Sequence, residues 1–295
     1  MTAPRQYCST LSAGAGEPLP GTGAHQATNA LIHWPKARWR HSLRVADGMP
    51  PDLVGAVEAT VAAGRRVNLI DRKGEPVDRV RVMLTPEALS FDVAPDDVPR
   101  LLDAARTGAS LASFAPRPSP ARILLCCTHG RHDRCCAKFG FAAYRAVARE
   151  AARHPTAFDV WETTHLGGCR LAASILSLPS RRKYGRVAPA QARAFLDAEA
   201  DDRPHLPSYR GGADLAPPEQ AAEVAALTAG HRSVRSVTDR SAADGTTRIY
   251  DVATDAGAAH VRVTGRAMAT YGACADVDDP EERPSAKTVW TGEVA

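Results

Sequence analysis

The sequence has few aromatic residues and no long hydrophobic run. Aromatic side chains make up 5% of the 295 residues, whereas hydrophobic residues together make up 44%. The core must therefore consist mainly of Ala, Val and Leu, which favours close-packed helices on a sheet over an aromatic-rich all-β sandwich. The longest apolar run, Ile123–Cys127, is far too short to span a membrane.

Other absences restrict the compartment and the partners. The opening MTAPRQYCST lacks the apolar segment of a secretory signal, so we expect a cytoplasmic protein that does not enter a membrane. The net charge of +4 is spread along the chain without a Lys/Arg block, so nucleic acid is not an expected partner. No glycine-rich nucleotide motif is present, and any reductase would have to be a separate protein.

The seven cysteines are the most informative residues. An odd number in a chain without a leader argues against a disulfide framework. Five of the seven lie between Cys126 and Cys169. In a reducing compartment, such clustering indicates metal or redox chemistry.

Hydrophobic periodicity and turn residues divide the chain into three regions. Residues 1–115 are expected to form an N-terminal α/β region that begins with an extended arm over residues 1–30. A proline-rich linker at 112–121 leads to a second domain at 116–202. Residues 203–295 are expected to form a small C-terminal α+β region with a frayed acidic tail at 276–284, and no internal repeat is visible.

The second domain has the clearest pattern of predicted strands and helices. The buried-strand signature at 121–127, a helix at 141–154 and a strand at 157–165 make a β–α–β unit, whose two strands are parallel. Two strands over 173–187 and a helix at 189–200 follow. This order, β–α–β and then β–β–α, predicts an α/β protein with a thioredoxin-like fold.

Soft metal ligands follow both parallel strands of this unit. Cys127 closes the first strand and His165 follows the second, so both belong at the sheet edge where ligands bind. Each has a companion nearby, Cys136 and Cys169, which gives the pattern Cys-x8-Cys and His-x3-Cys. Gly167 and Gly168 predict a tight turn within the second pair. Four such donors suit either a tetrahedral zinc ion or a [2Fe–2S] cluster.

The strings CTHGRHDRCCAKFG and WETTHLGGCRLAASILSLPSRRKYGRV resemble the two signature blocks of the sucrase/ferredoxin-like family of thioredoxin-like [2Fe–2S] ferredoxins. The opening CSTLSAGAGEPLPGTGA is also similar to that family, and the resemblance covers residues 6–200. It implies a cluster held by Cys127, Cys136, His165 and Cys169. The family's usual second pair is His-x3-His, so Cys169 is a departure that leaves three thiolates and one imidazole.

The remaining candidates are assigned to other roles. Cys135 competes with Cys136, which the spacing of eight residues favours. Cys126 points to the opposite face of its strand and is expected to be a buried apolar residue. Cys8 is expected to have a structural role in the N-terminal arm. Cys274 shows no partner. His129 and His132 are expected to lie outside the ligand set.

The sequence therefore predicts a one-electron carrier rather than an enzyme, with an unidentified protein as redox partner. Four cations flank the expected ligands and would offset an anionic cluster: Arg131, Arg134, Lys138 and Arg170. Lys138 is the one of these that is best explained as a solvated charge. Two alternatives remain open: a structural zinc module with the same ligands, and a thiol–disulfide oxidoreductase that uses Cys135–Cys136 or Cys126–Cys127.

Overall fold

The structure, a computed structural model, describes residues 5–76, 78–241 and 246–295. Residues 1–4 of the expected arm lie outside the described residues. The helices are α1 (Cys8–Gly14), α2 (Pro51–Ala62), α3 (Val98–Thr107), α4 (Phe141–Ala151), α5 (Ala192–Ala200), α6 (Pro217–Thr228) and α7 (Cys274–Asp278).

The strands form two sheets, one of ten strands and one of four. The larger contains β1 (Asn29–His33), β2 (Arg66–Asp71), β3 (Val80–Thr85), β4 (Leu89–Val93), β5 (Arg117–Pro118), β6 (Ile123–Cys127), β7 (Asp159–Thr163), β8 (Ile175–Leu178), β9 (Arg182–Tyr184) and β10 (Tyr209–Gly212). The smaller contains β11 (Val234–Asp239), β12 (Thr247–Thr254), β13 (Gly257–Thr270) and β14 (Ser285–Val294).

The expected thioredoxin-like arrangement is present in the second half of the large sheet. Strands β6 and β7 are parallel neighbours with α4 between them in sequence, and β8 and β9 follow as antiparallel strands on the other side of β6. The spatial order is β7-β6-β8-β9, and α5 completes the unit. The fold is therefore α/β and thioredoxin-like, as the sequence predicts.

The first half of the large sheet repeats this topology. Strands β1 and β2 are parallel, β3 is antiparallel to β1, and β4 follows β3, so the order is β2-β1-β3-β4. The two units meet where β2 pairs antiparallel with β7, at Ile70↔Thr163 and Asp71↔Glu162. No internal repeat is visible in the sequence, whereas the two units of the fold share their strand order and their connections.

Local signals explain most of the boundaries. Helix α2 has Pro51 at its first position, and Gly108 follows α3 with a φ of 74°, the left-handed conformation that glycine adopts at no steric cost. Every residue of β6 is buried, which accounts for its continuous apolar run. Cys126 packs with Leu124 and Val147 on one face of the sheet, whereas Cys127 lies on the other.

The C-terminal region differs from its expected form. The large sheet continues through β10 at Tyr209–Gly212, beyond the expected boundary at 203. The acidic stretch at 276–284 is not a frayed tail, because β14 follows it and pairs with β13 along ten positions. Helix α6 packs on the small sheet through a core of Ala222, Val252 and Val261.

The N-terminal arm is also more ordered than its Gly- and Pro-rich composition indicates. It contains helix α1, whose Cys8, Ser9 and Ser12 are buried. Among the described residues, no helix is long and apolar enough to cross a membrane.

Candidate metal centre

Two loops at the same sheet edge bring the four predicted ligands together. Cys127 ends β6, and His165 comes two residues after the parallel neighbour β7. The sulfur atoms of Cys127 and Cys136 lie 3.5 Å apart, and those of Cys136 and Cys169 lie 3.9 Å apart. Cys169 Sγ lies 3.2 Å from His165 Nδ1. The structure therefore places three thiols and one imidazole in one pocket.

Glycine allows the chain to form both loops. Gly167 and Gly168 have φ values of 95° and 79°, which produce the tight turn that the sequence predicts between His165 and Cys169. The π-helical turn Cys136–Gly140 leads into α4. A Cβ at Gly140 would lie 2.0 Å from the carbonyl oxygen of Cys127, so glycine alone lets this turn lie against the end of β6.

The hydrogen bonds among the three thiols favour the thiolate form of Cys127 and Cys169, and they raise the pKa of Cys136 well above its usual value. A bond with the Cys136 thiol is the largest influence on Cys169 and, with the nearby His132 and His165, lowers the pKa of Cys169 to about 5. A bond with the Cys136 thiol is also the largest cause of the lowered pKa of Cys127, whose sulfur accepts a further bond from the backbone N–H of His129. Burial alone would lower the pKa of His165, but its bonds with Cys127 and Cys169 raise it to about 9. Deprotonated sulfur is the form that binds metals.

A fifth donor lies beside the four. The ring centroids of His132 and His165 are 4.3 Å apart, and His132, His165 and Cys169 have donor atoms within 4.8 Å of one another. The buried Nδ1 of His132 has no hydrogen-bond partner among the described residues. His41 lies on the outer side of His132, with ring centroids 5.1 Å apart. The sequence analysis placed His132 outside the ligand set. Its position inside the Cys-x8-Cys loop is the sequence feature that indicates a place beside the ligands.

Three cations line the back of the His165–Cys169 turn, and the sequence reasoning missed all of them. Arg66 donates to the carbonyl oxygen of His165 at 2.6 Å, and Arg210 donates to that of Gly167 at 3.2 Å. Lys183 is buried and donates to the carbonyl oxygen of Ala24 at 2.9 Å. In the described part of the chain, none of the three cations has a carboxylate within 4.0 Å.

Burial of these three cations close to one another lowers their pKa values. Burial, with repulsion from Arg170, lowers the pKa of Arg210 to about 9. Burial, with repulsion from Arg44, lowers that of Arg66 to about 10. The pKa of Lys183 falls well below its usual value because of burial and the neighbouring Arg210 and Arg66. Such a group of uncompensated cations is expensive to bury unless an anion lies beside it.

The four cations that the sequence named do not fill this role. Arg134 pairs with Asp278, and Arg170 pairs with the buried carboxylate of Glu17 at 2.8 Å. Arg131 is exposed, and Lys138 is also exposed, with its ammonium 4.3 Å from the ring centroid of Tyr7. Sequence proximity to the ligands was a poor guide because carboxylates from distant segments neutralise Arg134 and Arg170, while Arg131 and Lys138 face the solvent.

The vicinal cysteines point into different surroundings. Cys135 Sγ does not join the pocket of Cys136 but lies 3.5 Å from Cys8 Sγ and 3.2 Å from Cys274 Sγ. Cys274, for which the sequence showed no partner, is thus part of a second cysteine cluster. Cys126 and Cys127 lie on opposite faces of the sheet. Neither vicinal pair faces a common space, which disfavours thiol–disulfide chemistry between them.

Comparison with protein families now assigns the chain. The sucrase/ferredoxin-like family model matches residues 19–211, which include both units of the large sheet. The chain belongs to the sucrase/ferredoxin-like family. The match ends within β10, so the family assignment does not extend to α6 or the four-stranded sheet.

Comparison with solved structures finds a thioredoxin-like [2Fe–2S] ferredoxin from Aquifex aeolicus, in several crystal structures. One is 13% identical with a TM-score of 0.27, over 30% of this chain and 88% of that chain. The wild-type ferredoxin in a further crystal structure is 14% identical with the same TM-score, over 30% of this chain and 94% of that chain. No curated protein matches the chain.

Proposed function

We propose that the chain holds a [2Fe–2S] cluster through Cys127, Cys136, His165 and Cys169 and acts as a one-electron carrier. The observation that carries this proposal is the combination of three thiols and one imidazole with cations that have no carboxylate contact in the described part of the chain. Arg66, Lys183 and Arg210 contact or adjoin the turn that bears two of the four donors. An anionic centre in the pocket would supply the missing negative charge.

The donor set fits a cluster of two iron ions. The donor atoms of Cys127, Cys136 and His165 lie within 4.8 Å of one another, and those of His165 and Cys169 form a further group of three with His132. A single tetrahedral ion requires four donors around one point, whereas a binuclear cluster takes one pair at each iron. The Cys-x8-Cys and His-x3-Cys pairs provide these two pairs from two separate loops.

When bound, the cluster supplies the one-electron redox change. The protein residues set the surroundings in which that change occurs. With three thiolates and a neutral imidazole, the oxidised site has one net negative charge and the reduced site has two. Arg66, Lys183 and Arg210 stabilise the more negative state and so favour reduction.

The histidines mark the solvent side of the pocket. Cys127, Cys136 and Cys169 are buried, whereas His165 and His132 are half-buried and His41 is exposed. The short contacts from His165 to His132 and on to His41 connect the ligand shell with the surface. We infer that a separate reductase or acceptor protein docks on this side, in the cytoplasm.

The test is anaerobic purification followed by visible absorption spectroscopy and analysis of iron and acid-labile sulfide. We expect a red-brown protein with equal amounts of iron and sulfide, and loss of that colour in Cys127→Ser, Cys136→Ser and Cys169→Ser. Cys126→Ser is the matched control, because Cys126 is equally buried but lies on the other face of the sheet. This variant should keep the spectrum.

Other outcomes identify the alternatives. A colourless protein with zinc at these four residues would support the structural zinc module and overturn electron transfer. A metal-free protein with seven titratable thiols would overturn both metal sites and leave the thiol–disulfide oxidoreductase as the remaining alternative. If Cys169→Ser keeps the cluster and His132→Ala loses it, the fourth ligand is His132.

A further inference from the structure

The second cysteine cluster joins three segments that are far apart in sequence. Cys8 belongs to helix α1 of the N-terminal arm, Cys135 to the loop between β6 and α4, and Cys274 begins α7 in the connection between β13 and β14. All three are buried. Their sulfur atoms form a triangle with sides of 3.2, 3.5 and 3.5 Å.

Asp133 completes the group. Its Oδ2 lies 4.0 Å from Cys8 Sγ, and the donor atoms of Asp133 and the three cysteines all lie within 4.8 Å of one another. The two carboxylate oxygens accept the backbone N–H groups of Cys135 at 2.7 Å and of Cys274 at 2.8 Å. These bonds orient the carboxylate and leave a lone pair on each oxygen for a further contact.

We propose that Cys8, Asp133, Cys135 and Cys274 form a second metal site, which holds one tetrahedral zinc ion. Four ligands at the 2.3 Å Zn–S distance typical of zinc sites place sulfur atoms about 3.8 Å apart, close to the triangle observed here. The four donors of this site form a single group, whereas among the described residues Cys127, Cys136, His165 and Cys169 occur only in groups of three, one of which joins Cys136 and Cys169 to Asp133. The compact group of four matches a mononuclear ion.

The adjacent residues Cys135 and Cys136 thus serve different metals. Cys135 ties its loop to the arm and to α7, while Cys136 faces Cys127 and Cys169. The Arg134–Asp278 ion pair joins the same loop to α7 independently. The zinc ion fastens the C-terminal sheet to the loop that carries one predicted cluster ligand, a role for a region outside the family match.

The test measures zinc and iron separately in protein purified anaerobically without chelators. We expect one zinc ion per chain in the wild type. Cys8→Ser and Cys274→Ser should lower the zinc content at least tenfold and keep the visible spectrum of the first site. Cys126→Ser should keep the zinc, and Cys127→Ser should also keep it while it loses iron. The zinc readout does not depend on the cluster, so a failure of the proposed electron-carrier function leaves this test intact.

X-ray absorption at the zinc edge of the wild type tests the ligands without any variant. Three sulfurs at about 2.3 Å and one oxygen at about 2.0–2.2 Å are expected. Four sulfurs, or a histidine contribution, would overturn the assignment. Zinc that is lost from Cys127→Ser but kept in Cys274→Ser would place the ion in the first pocket. A wild type that takes up no added zinc, or that contains a disulfide among the three cysteines, would also exclude the site.

Discussion

The two halves of the large sheet have the same topology, but different residues follow their corresponding strands. In the first unit β1 ends at His33, and in the second the corresponding strand β6 ends at Cys127. The first unit, from β1 to α3, contains no cysteine. The His33 imidazole instead lies 3.3 Å from the carboxylate of Asp71 at the end of β2.

Their charges also differ. Two cations of the first unit pair with carboxylates: Lys36 with Glu162 of the second unit, and Arg81 with Asp92 at 2.9 Å. The cations behind the His165–Cys169 turn bind only carbonyl, amide and hydroxyl oxygens among the described residues. Cations without a carboxylate partner in the described part of the chain therefore gather at the ligand turn of the second unit, and one of them, Arg66, comes from β2 of the first. The difference lies in the loops and in which residues face the sheet edge.

The first prediction compares one glycine from each unit. Gly140→Ala should destabilise the protein by about 3 kcal/mol or more and abolish metal binding at the first site, because the new Cβ meets a backbone oxygen that cannot move freely. Gly55→Ala, in the corresponding helix α2, places a Cβ in open space and should stabilise by about 0.5–1 kcal/mol. Chemical denaturation and metal analysis measure both. Equal effects at the two positions would show that the tight approach at Gly140 has no special role.

The second unit was largely predictable from sequence because its strands and helices have strong local signals. The run at 121–127 and the turn glycines Gly167 and Gly168 fixed the positions of Cys127 and His165 relative to the sheet. The spacing of eight residues also selected Cys136, whose sulfur the structure places beside that of Cys127. These features depend on residues close together in the chain.

The features that sequence did not reveal depend on contacts between distant segments. Cys8 and Cys274 meet although they are at opposite ends of the chain, and Arg66 reaches the His165 carbonyl from another unit. The repeated topology was hidden for a related reason. Strand order is set by pairing and packing across the sheet, and many unrelated sequences satisfy the same pattern.

The next prediction concerns the departure from the family's His-x3-His pair. Cys169→His replaces an anionic thiolate with a neutral imidazole, so reduction adds charge to a less negative site. All-cysteine clusters have midpoint potentials near roughly −400 mV, and clusters with two histidines range from about −150 to +300 mV. We expect the wild type to lie between these classes and Cys169→His to raise the midpoint by about 100 mV or more.

A redox titration followed by visible absorption measures this shift, with Cys126→Ser as the control that should leave the midpoint unchanged. An unchanged midpoint in a Cys169→His protein that retains its cluster would mean that residue 169 is not a ligand. His132 would then be the donor to examine, because it is the remaining imidazole in contact with His165 and Cys169.

The third prediction addresses the charge that distinguishes the two units. Lys183→Met removes a buried cation but keeps a side chain of similar length. The midpoint potential should fall by tens of millivolts, where about 59 mV corresponds to a tenfold change in a one-electron equilibrium. The direction follows because the reduced site carries one more negative charge than the oxidised site. A rise in the midpoint potential, or an unchanged midpoint potential, would show that Lys183 does not act on the redox site.

The smallest effect is expected for Arg131→Met, the same replacement at a cation that sequence proximity favoured. Arg131 is exposed, and water and salt screen its charge from the buried pocket. Its midpoint shift should be well below that of Lys183→Met, and it should vanish at about 1 M salt, where the Debye length is about 3 Å. The Lys183→Met shift should persist at that salt concentration because ions do not reach a buried side chain. If the two variants respond alike to salt, burial does not decide which cations influence the site.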